Sequence, residues 1–224
     1  MQGVNIIIPA HNEATSIIDC VQSLYDLYHE GNTITVATDG NTDDTDKILM
    51  NYIIKENLDH VFVQSYPERI GKGAAIKLAL LQGYTNIFYD ADMAVSPHAL
   101  HAMYELACSR GGIVTAKRYA PERKKTRSLL SFTYNSMVRL LFRTGITDHQ
   151  CGCKVLSPEA TAIAEQIKAD DFFFDTELIV KCKRAGLPVT KYSVYWVEHK
   201  KKSSVSLCRD SLRMFGQLLK LRFA

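Results

Sequence analysis

The stretch Asn86-Ile87-Phe88-Tyr89-Asp90-Ala91-Asp92 decides how this chain is read. Its apolar middle is the kind of short run that forms a buried strand, and two carboxylates close it, two positions apart. Side chains two apart in extended chain point the same way, so both acids are expected to face the space beyond the strand end. Two hard oxygen donors in that place suit Mg²⁺ or Mn²⁺ bridging a pyrophosphate. A polar strand end with solvated acids has the same sequence, and spacing alone leaves both readings open.

Outward from this stretch, strand-like and helix-like segments alternate. Before it, residues 4–8, 33–38 and 61–63 read as strands, and 14–28, 43–57 and 71–83 as helices. After it, 97–108 and 128–142 read as helices, 112–116 and 189–197 as strands, and 206–223 as a last helix. The alternation predicts an α/β fold with a doubly wound, mostly parallel sheet, whose ligands gather at the carboxyl ends of the strands.

With 224 residues, 46% hydrophobic and 23% charged, the chain suits one globular domain and not a disordered one. A net charge of +3 is too small to argue for nucleic acid. No apolar run approaches the ~18 residues of a membrane span, and residues 1–4 lack the pattern of a signal peptide. The six cysteines include one close pair, Cys151 and Cys153, without the second pair a zinc site wants. Reduced thiols and a cytosolic compartment are the expectation.

Two further segments end or open elements on the same predicted edge. Thr38-Asp39-Gly40-Asn41-Thr42-Asp43-Asp44-Thr45 follows the second strand. It reads as a turn with a helix cap, or as a place where Asp39 accepts hydrogen bonds from a nucleobase or ribose. Arg69-Ile70-Gly71-Lys72-Gly73-Ala74-Ala75 opens a helix, where glycines permit close approach of a phosphate and Lys72 or Arg69 adds charge. It matches neither a Walker A loop nor the dinucleotide fingerprint, because Ile76 stands at the third glycine's place. Pro9-Ala10-His11-Asn12-Glu13 closes the first strand. Together these segments fit a nucleoside diphosphate held by a divalent metal.

At this point the sequence resembles the family 2 glycosyltransferases of the GT-A fold, within the group that acts on dolichyl or polyprenyl phosphate. The resemblance lies in residues 6–13, 39–45, 71–75, Asp90-Ala91-Asp92, Lys117-Arg118, Asp148-His149-Gln150-Cys151-Gly152-Cys153-Lys154 and 174–178, and runs from about residue 4 to 215. The Asp148–Lys154 stretch is closest to the glucosyltransferase branch. The resemblance implies inverting transfer of a hexose from a nucleotide sugar, UDP-glucose before GDP-mannose, to a polyprenyl or dolichyl phosphate. It implies a nucleotide-sugar site of Pro9, Asn12, Glu13, Asp39, Lys72, Asp90, Ala91 and Asp92, with Asp90 and Asp92 on Mg²⁺ or Mn²⁺. Arg118, Arg127, Ser131, Lys202 and Ser204 are implied at the acceptor phosphate, and Asp92, Asp148 and Arg118 at the chemistry. Residues 1–116 are expected to bind the donor, 117–204 the acceptor, and 205–224 to form an amphipathic helix. Two departures stand out. Thr38 occupies a position where the family usually has an acid, and Ala94 one where it often has a glutamine. Both predict a metal held more loosely or with more water.

Transfer to an alcohol needs a base, whereas a phosphate monoester is already anionic near neutral pH. Asp148 is therefore expected to organise the sugar or the arginines, not to abstract a proton, and no histidine is assigned to catalysis. The basic stretches 123–127 and 200–202 read either as solvated surface or, with the last helix, as contacts to the cytoplasmic face of an anionic membrane. A GT-A transferase with another acceptor, or a nucleotide-sugar-binding protein without turnover, are the rival readings.

Overall fold

The computed structural model describes residues 3–28, 30–119, 125–197 and 207–223; the side chains of 125–130 and 207–212 lie outside the description. The elements run β1 (Val4–Ala10), α1 (Ile17–Tyr28), β2 (Asn32–Asp39), α2 (Thr45–Glu56), β3 (Val61–Tyr66), α3 (Lys72–Ala79), β4 (Thr85–Phe88), α4 (Ala99–Arg110) and β5 (Ile113–Tyr119). They continue as α5 (Lys125–Phe142), β6 (Lys154–Leu156), α6 (Pro158–Ala164), α7 (Phe174–Arg184), β7 (Val189–Tyr195) and α8 (Leu207–Phe223). The strands form one sheet in the order β3-β2-β1-β4-β6-β5-β7.

β1 pairs in parallel with β2 and β4, and β2 with β3. Their carboxyl ends therefore lie along one edge, as the alternation predicts. Pro9 has no N–H to give, and it falls just past the β1–β4 ladder, which ends at Ile7 opposite Phe88. β6 runs against both neighbours, making the sheet mixed. Three residues are too few for an alternation signal, which is why β6 escaped the sequence reading. The apolar side chains sort to two faces. Ile6, Ile8, Ile34, Val36 and Val114 meet α1, α2 and α4 on one. Ile7, Phe88, Ile113 and Leu156 meet α3, α6, α7 and α8 on the other.

α3 is shorter than the predicted 71–83 and ends at Ala79. The buried Asn86 side chain takes both the N–H and the C=O of Leu81, offering that backbone an alternative to another helical turn. α8 buries Met214, Leu218 and Leu221 against the domain and leaves Phe215, Leu219 and Phe223 exposed. Its ion pair from Arg213 to Asp171 and the Gln217 hydrogen bonds to the same carboxylate fasten it further. Among the described residues no helix is long and apolar enough to cross a membrane.

Candidate active site

The strand edge assembles side chains from several elements and the loops between them. β4 stops at Phe88, and the chain then turns: Asp90 C=O accepts the Met93 N–H, Met93 takes φ 50°, and the Asp92 carboxylate accepts the Ala94 N–H at 3.2 Å. A turn, not strand alternation, thus brings the two acids into one field. Burial and the charge of Asp90 push the Asp92 carboxyl above its ordinary value. Burial would also raise Asp90, but Lys72, Lys154 and Arg118 together hold it below. Lys72, at the start of α3, donates to Asp90 Oδ1 at 2.6 Å. Burial alone would lower the Lys72 ammonium, and the charges of Asp90 and Asp175 outweigh it, so it stays protonated.

Asp90 is boxed in from the other side by the loop after Asp148. A Cβ built on Gly152 would lie 1.7 Å from Asp90 Oδ2 and 2.1 Å from its Cγ. No side chain fits there. Among the described residues, no protein donor takes Asp90 Oδ2 or Asp92 Oδ2. Two adjacent carboxylates, each with an oxygen to spare, fit the hard-oxygen chemistry of Mg²⁺ or Mn²⁺ beside a diphosphate. The described residues hold no cluster of three or more metal-ligating side chains, so diphosphate and water would complete such a shell. Ala94 is buried and adds no ligand.

Asp148 and Arg118 form the second half of the edge. Arg118 Nε and Nη2 each donate to one Asp148 oxygen at 2.6 Å, and the Arg118 backbone N–H adds a third bond at 3.3 Å. Burial opposes the charge on Asp148, but the guanidinium wins and keeps its carboxyl low. The other face of the guanidinium lies 5.7 Å from the centroid of the Trp196 ring. Next in sequence, His149 is fully buried. Its backbone N–H and Nδ1 meet Asn135 Oδ1, and its Nε2 meets the Thr144 hydroxyl at 2.8 Å. Burial pushes the imidazole down to about 4, so it is neutral, with Nδ1 donating to Asn135 and Nε2 accepting from Thr144. Ser131 accepts from the same Asn135 at its C=O and its hydroxyl. Ser131 and His149 are thereby tied through Asn135 on α5.

Beneath both halves sits Lys154, with no exposed side-chain surface, paired at 2.6 Å with the equally enclosed Asp175 at the start of α7. It also donates to the Cys151 carbonyl. The described cysteines are all unpaired, and burial pushes the Cys151 thiol up to about 11.

The expected nucleoside side is a web of loop contacts. Asn12, at φ 55°, exchanges hydrogen bonds with Asn41 and Thr42. The Glu13 N–H donates to the Thr45 hydroxyl, and the Glu13 carboxylate accepts from Ser16. Asp39 accepts the N–H groups of Ile70, at 2.6 Å, and of Gly71, so its carboxylate organises the loop that opens α3. The glycines of that loop answer to packing. A Cβ on Gly71 would meet the Asp170 carbonyl at 2.3 Å, and one on Gly73 would meet Phe174 Cβ at 2.7 Å. Thr38 donates to Asp46 at 2.6 Å, and Asn41 and Ser65 bond the same carboxylate. An acid does stand beside the second strand end, supplied from α2. The run Asp43-Asp44-Thr45-Asp46 offered it, but only as a helix start.

Ala91 is buried between the two acids. The Arg127 side chain, Lys202 and Ser204 lie outside the described residues, as do the side chains of Leu207, Arg209 and Leu212.

The model of a family described as glycosyl transferase family 2 matches residues 5–162. The chain is 32% identical to glycosyltransferase AglD of Haloferax volcanii over 230 residues, which is 97% of this chain and 36% of that protein. It is 24% identical to the dolichyl-phosphate beta-glucosyltransferase of Dictyostelium discoideum over 242 residues, 98% of this chain and 74% of that one. The chain thus spans about a third of the length of the first relative and three quarters of the second. Its fold matches crystal structures of glucosyl-3-phosphoglycerate synthase from Mycobacterium tuberculosis. The complex with UDP gives a TM-score of 0.78 at 20% identity, covering 99% of this chain and 80% of that one. The complex with Mn²⁺, UDP and glucosyl-3-phosphoglycerate gives 0.79 at 18% identity, with coverage of 99% and 80%.

Proposed function

Because the chain belongs to glycosyl transferase family 2 and is a glycosyltransferase, we propose that it moves glucose from UDP-glucose to a polyprenyl or dolichyl phosphate, with inversion at the anomeric carbon. The names of its dolichyl-phosphate beta-glucosyltransferase relatives support the sugar and the acceptor. The observation that carries the reading is the commitment of Asp148 to Arg118. An acid held ionised by a two-pronged arginine is a poor proton acceptor. Asp90 is ion-paired with Lys72 and Asp175 with Lys154, and the remaining oxygens of Asp90 and Asp92 are assigned to a metal. An edge without a ready base suits an acceptor that needs none.

In this reading an acceptor phosphate oxygen, already anionic, attacks the anomeric carbon. The bond from that carbon to the donor's diphosphate oxygen breaks, and its electron pair leaves with UDP; no proton changes hands. Arg118 presents its remaining donors to the acceptor phosphate, in a direction fixed by Asp148 and Trp196. Ser131, Arg127, Lys202 and Ser204 are assigned to the same phosphate. Asp90 and Asp92 would hold Mg²⁺ or Mn²⁺, which when bound supplies charge neutralisation at the leaving diphosphate. Lys72 sets the position of Asp90 and adds positive potential there. Pro9, Asn12, Glu13 and Asp39 are assigned to the nucleoside, with residues 1–116 as the donor half and 117–204 as the acceptor half. An acceptor that stays in the bilayer places the protein at a membrane in this reading, and the cytoplasmic face is the side assigned to it.

The test is transfer of labelled sugar into an organic-extractable prenyl phosphate, with UDP-glucose and GDP-mannose side by side. Label from UDP-glucose that EDTA abolishes and Mg²⁺ or Mn²⁺ restores is the expected result. Nucleotide release without lipid label would replace the acceptor, and label from GDP-mannose alone would replace the donor.

A further inference from the structure

β5 and β7 lie side by side at one end of the sheet, with β7 outermost. Their parallel register sets Lys117 opposite Ser193 and Tyr119 opposite Tyr195. On one face of this pair, Arg118 turns inward to Asp148 and Trp196. The opposite face carries Lys117, Tyr119, Lys191, Ser193 and Tyr195, and all five are exposed. The two tyrosine rings are 64% and 62% exposed and lean together with centroids 6.4 Å apart. Among the described residues neither lysine has an acid as partner. Two large aromatic rings held side by side in water, flanked by unneutralised ammonium groups, are an unusual surface for a sheet to leave uncovered.

We propose that this face is where the protein seats itself on an anionic lipid surface, with Tyr119 and Tyr195 at headgroup depth and Lys117 and Lys191 above the lipid phosphates. The chemistry matches on both counts. Tyrosine has an apolar body and a polar tip and settles at membrane–water interfaces. Lysines near an anionic leaflet each strengthen binding by about fivefold. The sign of the charge carries on along the chain, since both strands lead toward basic sequence, 123–127 and 200–202. The face also lies at the right end of the molecule. Tyr119 directly follows Arg118, so docking here holds the end of β5 that carries the acceptor-side arginine near the bilayer, with the Arg118 side chain on the other face of the strand. This assignment rests on the prenyl-phosphate reading of the site. It shifts the main contact from α8, whose Met214, Leu218 and Leu221 are used against the domain, to the sheet edge.

Vesicle flotation tests it, using phosphatidylcholine with and without phosphatidylglycerol, in the absence of donor and acceptor. The unaltered protein is expected to float with anionic vesicles only. The double variant Tyr119→Ser/Tyr195→Ser is expected to lose about tenfold or more in vesicle affinity, as two interfacial anchors go. It should keep its melting temperature and its transfer rate to a short, water-soluble prenyl phosphate. Lys191→Gln is expected to lose about fivefold on anionic vesicles and nothing on neutral ones. Flotation of the double variant equal to that of the unaltered protein, or equal binding to neutral and anionic vesicles, overturns the assignment. Vesicle binding is read without turnover, so it stands or falls separately from the transfer assay.

Discussion

Replacing Gly152 by alanine puts one methyl group against the side chain on which the proposed donor site depends. The new carbon would lie 1.7 Å from Asp90 Oδ2, where ordinary contact begins at 3.4 Å. The carboxylate must therefore retreat by about 1.7 Å, the difference of those two distances. Its 2.6 Å contact with Lys72 does not survive such a move. A displacement of about 1 Å at a reacting centre costs roughly 100-fold in rate, or about 3 kcal/mol of transition-state stabilisation. The cost in stability is smaller, because the Asp90 side chain is 40% exposed. Overpacking of this kind costs about 1–2 kcal/mol, a fall of roughly 5 °C in melting temperature for a chain of this size. Initial rates over a range of metal concentration, with a thermal melt of the same preparation, separate the two effects. The expected result is kcat/KM down about 100-fold, with the metal dependence shifted to higher concentration and the fold intact. Activity within threefold of the unaltered protein would refute the steric reasoning. A melting temperature down by more than about 10 °C would show that the glycine protects the loop and not the carboxylate.

Three other outcomes follow from the same contacts. Arg118→Lys keeps the charge but not the fork; kcat/KM for the acceptor should fall about 100-fold while donor affinity stays within twofold, and a loss of donor affinity instead would move Arg118 to the other half of the site. His149 is neutral when folded down to about 4 and protonates near 6.5 when unfolded. The unfolded state therefore binds more protons across that window, and stability is full above pH 6.5 and falls toward pH 4 by up to about 3 kcal/mol. Urea titrations at several pH values should show a flatter dependence in His149→Gln, and an unchanged slope would contradict the neutral pairing with Asn135 and Thr144. Lys154→Met leaves Asp175 enclosed without its cation and should cost about 3–5 kcal/mol in urea unfolding, most of it recovered in Lys154→Met/Asp175→Leu. A loss under about 1 kcal/mol in the single variant would show that the pair is solvated.

The sequence carried the strands and the edge well because both depend on local signals. Apolar runs such as Ile6-Ile7-Ile8 mark strands whatever their partners, and parallel pairing then aligns Asp39 and Asp90 at one side. What escaped depends on residues distant in the chain. Asn135 reaches His149 across 14 positions, and Lys154 reaches Asp175 across 21, with no pattern to announce either. Asp46 replaces the missing acid beside Thr38 from within a helix, where an acid near the start has an ordinary reason to be. The glycines at 71 and 73 invited a phosphate-binding reading, yet close approach of Asp170 and Phe174 already requires them. The antiparallel β6 was too short to read, although it delivers Lys154 beneath the site.

The acceptor oxygen arrives ionised, as a phosphate, at an edge whose carboxylates are paired with cations or assigned to a metal. This is tested most directly by offering a prenyl phosphate and the matching prenol in parallel, with labelled UDP-glucose and Mn²⁺. Lipid label is expected with the phosphate alone, at a rate that stays level as pH rises through neutrality once the acceptor's second pKa of about 6 is passed. Label on the prenol, or a rate that keeps rising with pH as a catalytic base deprotonates, would contradict it.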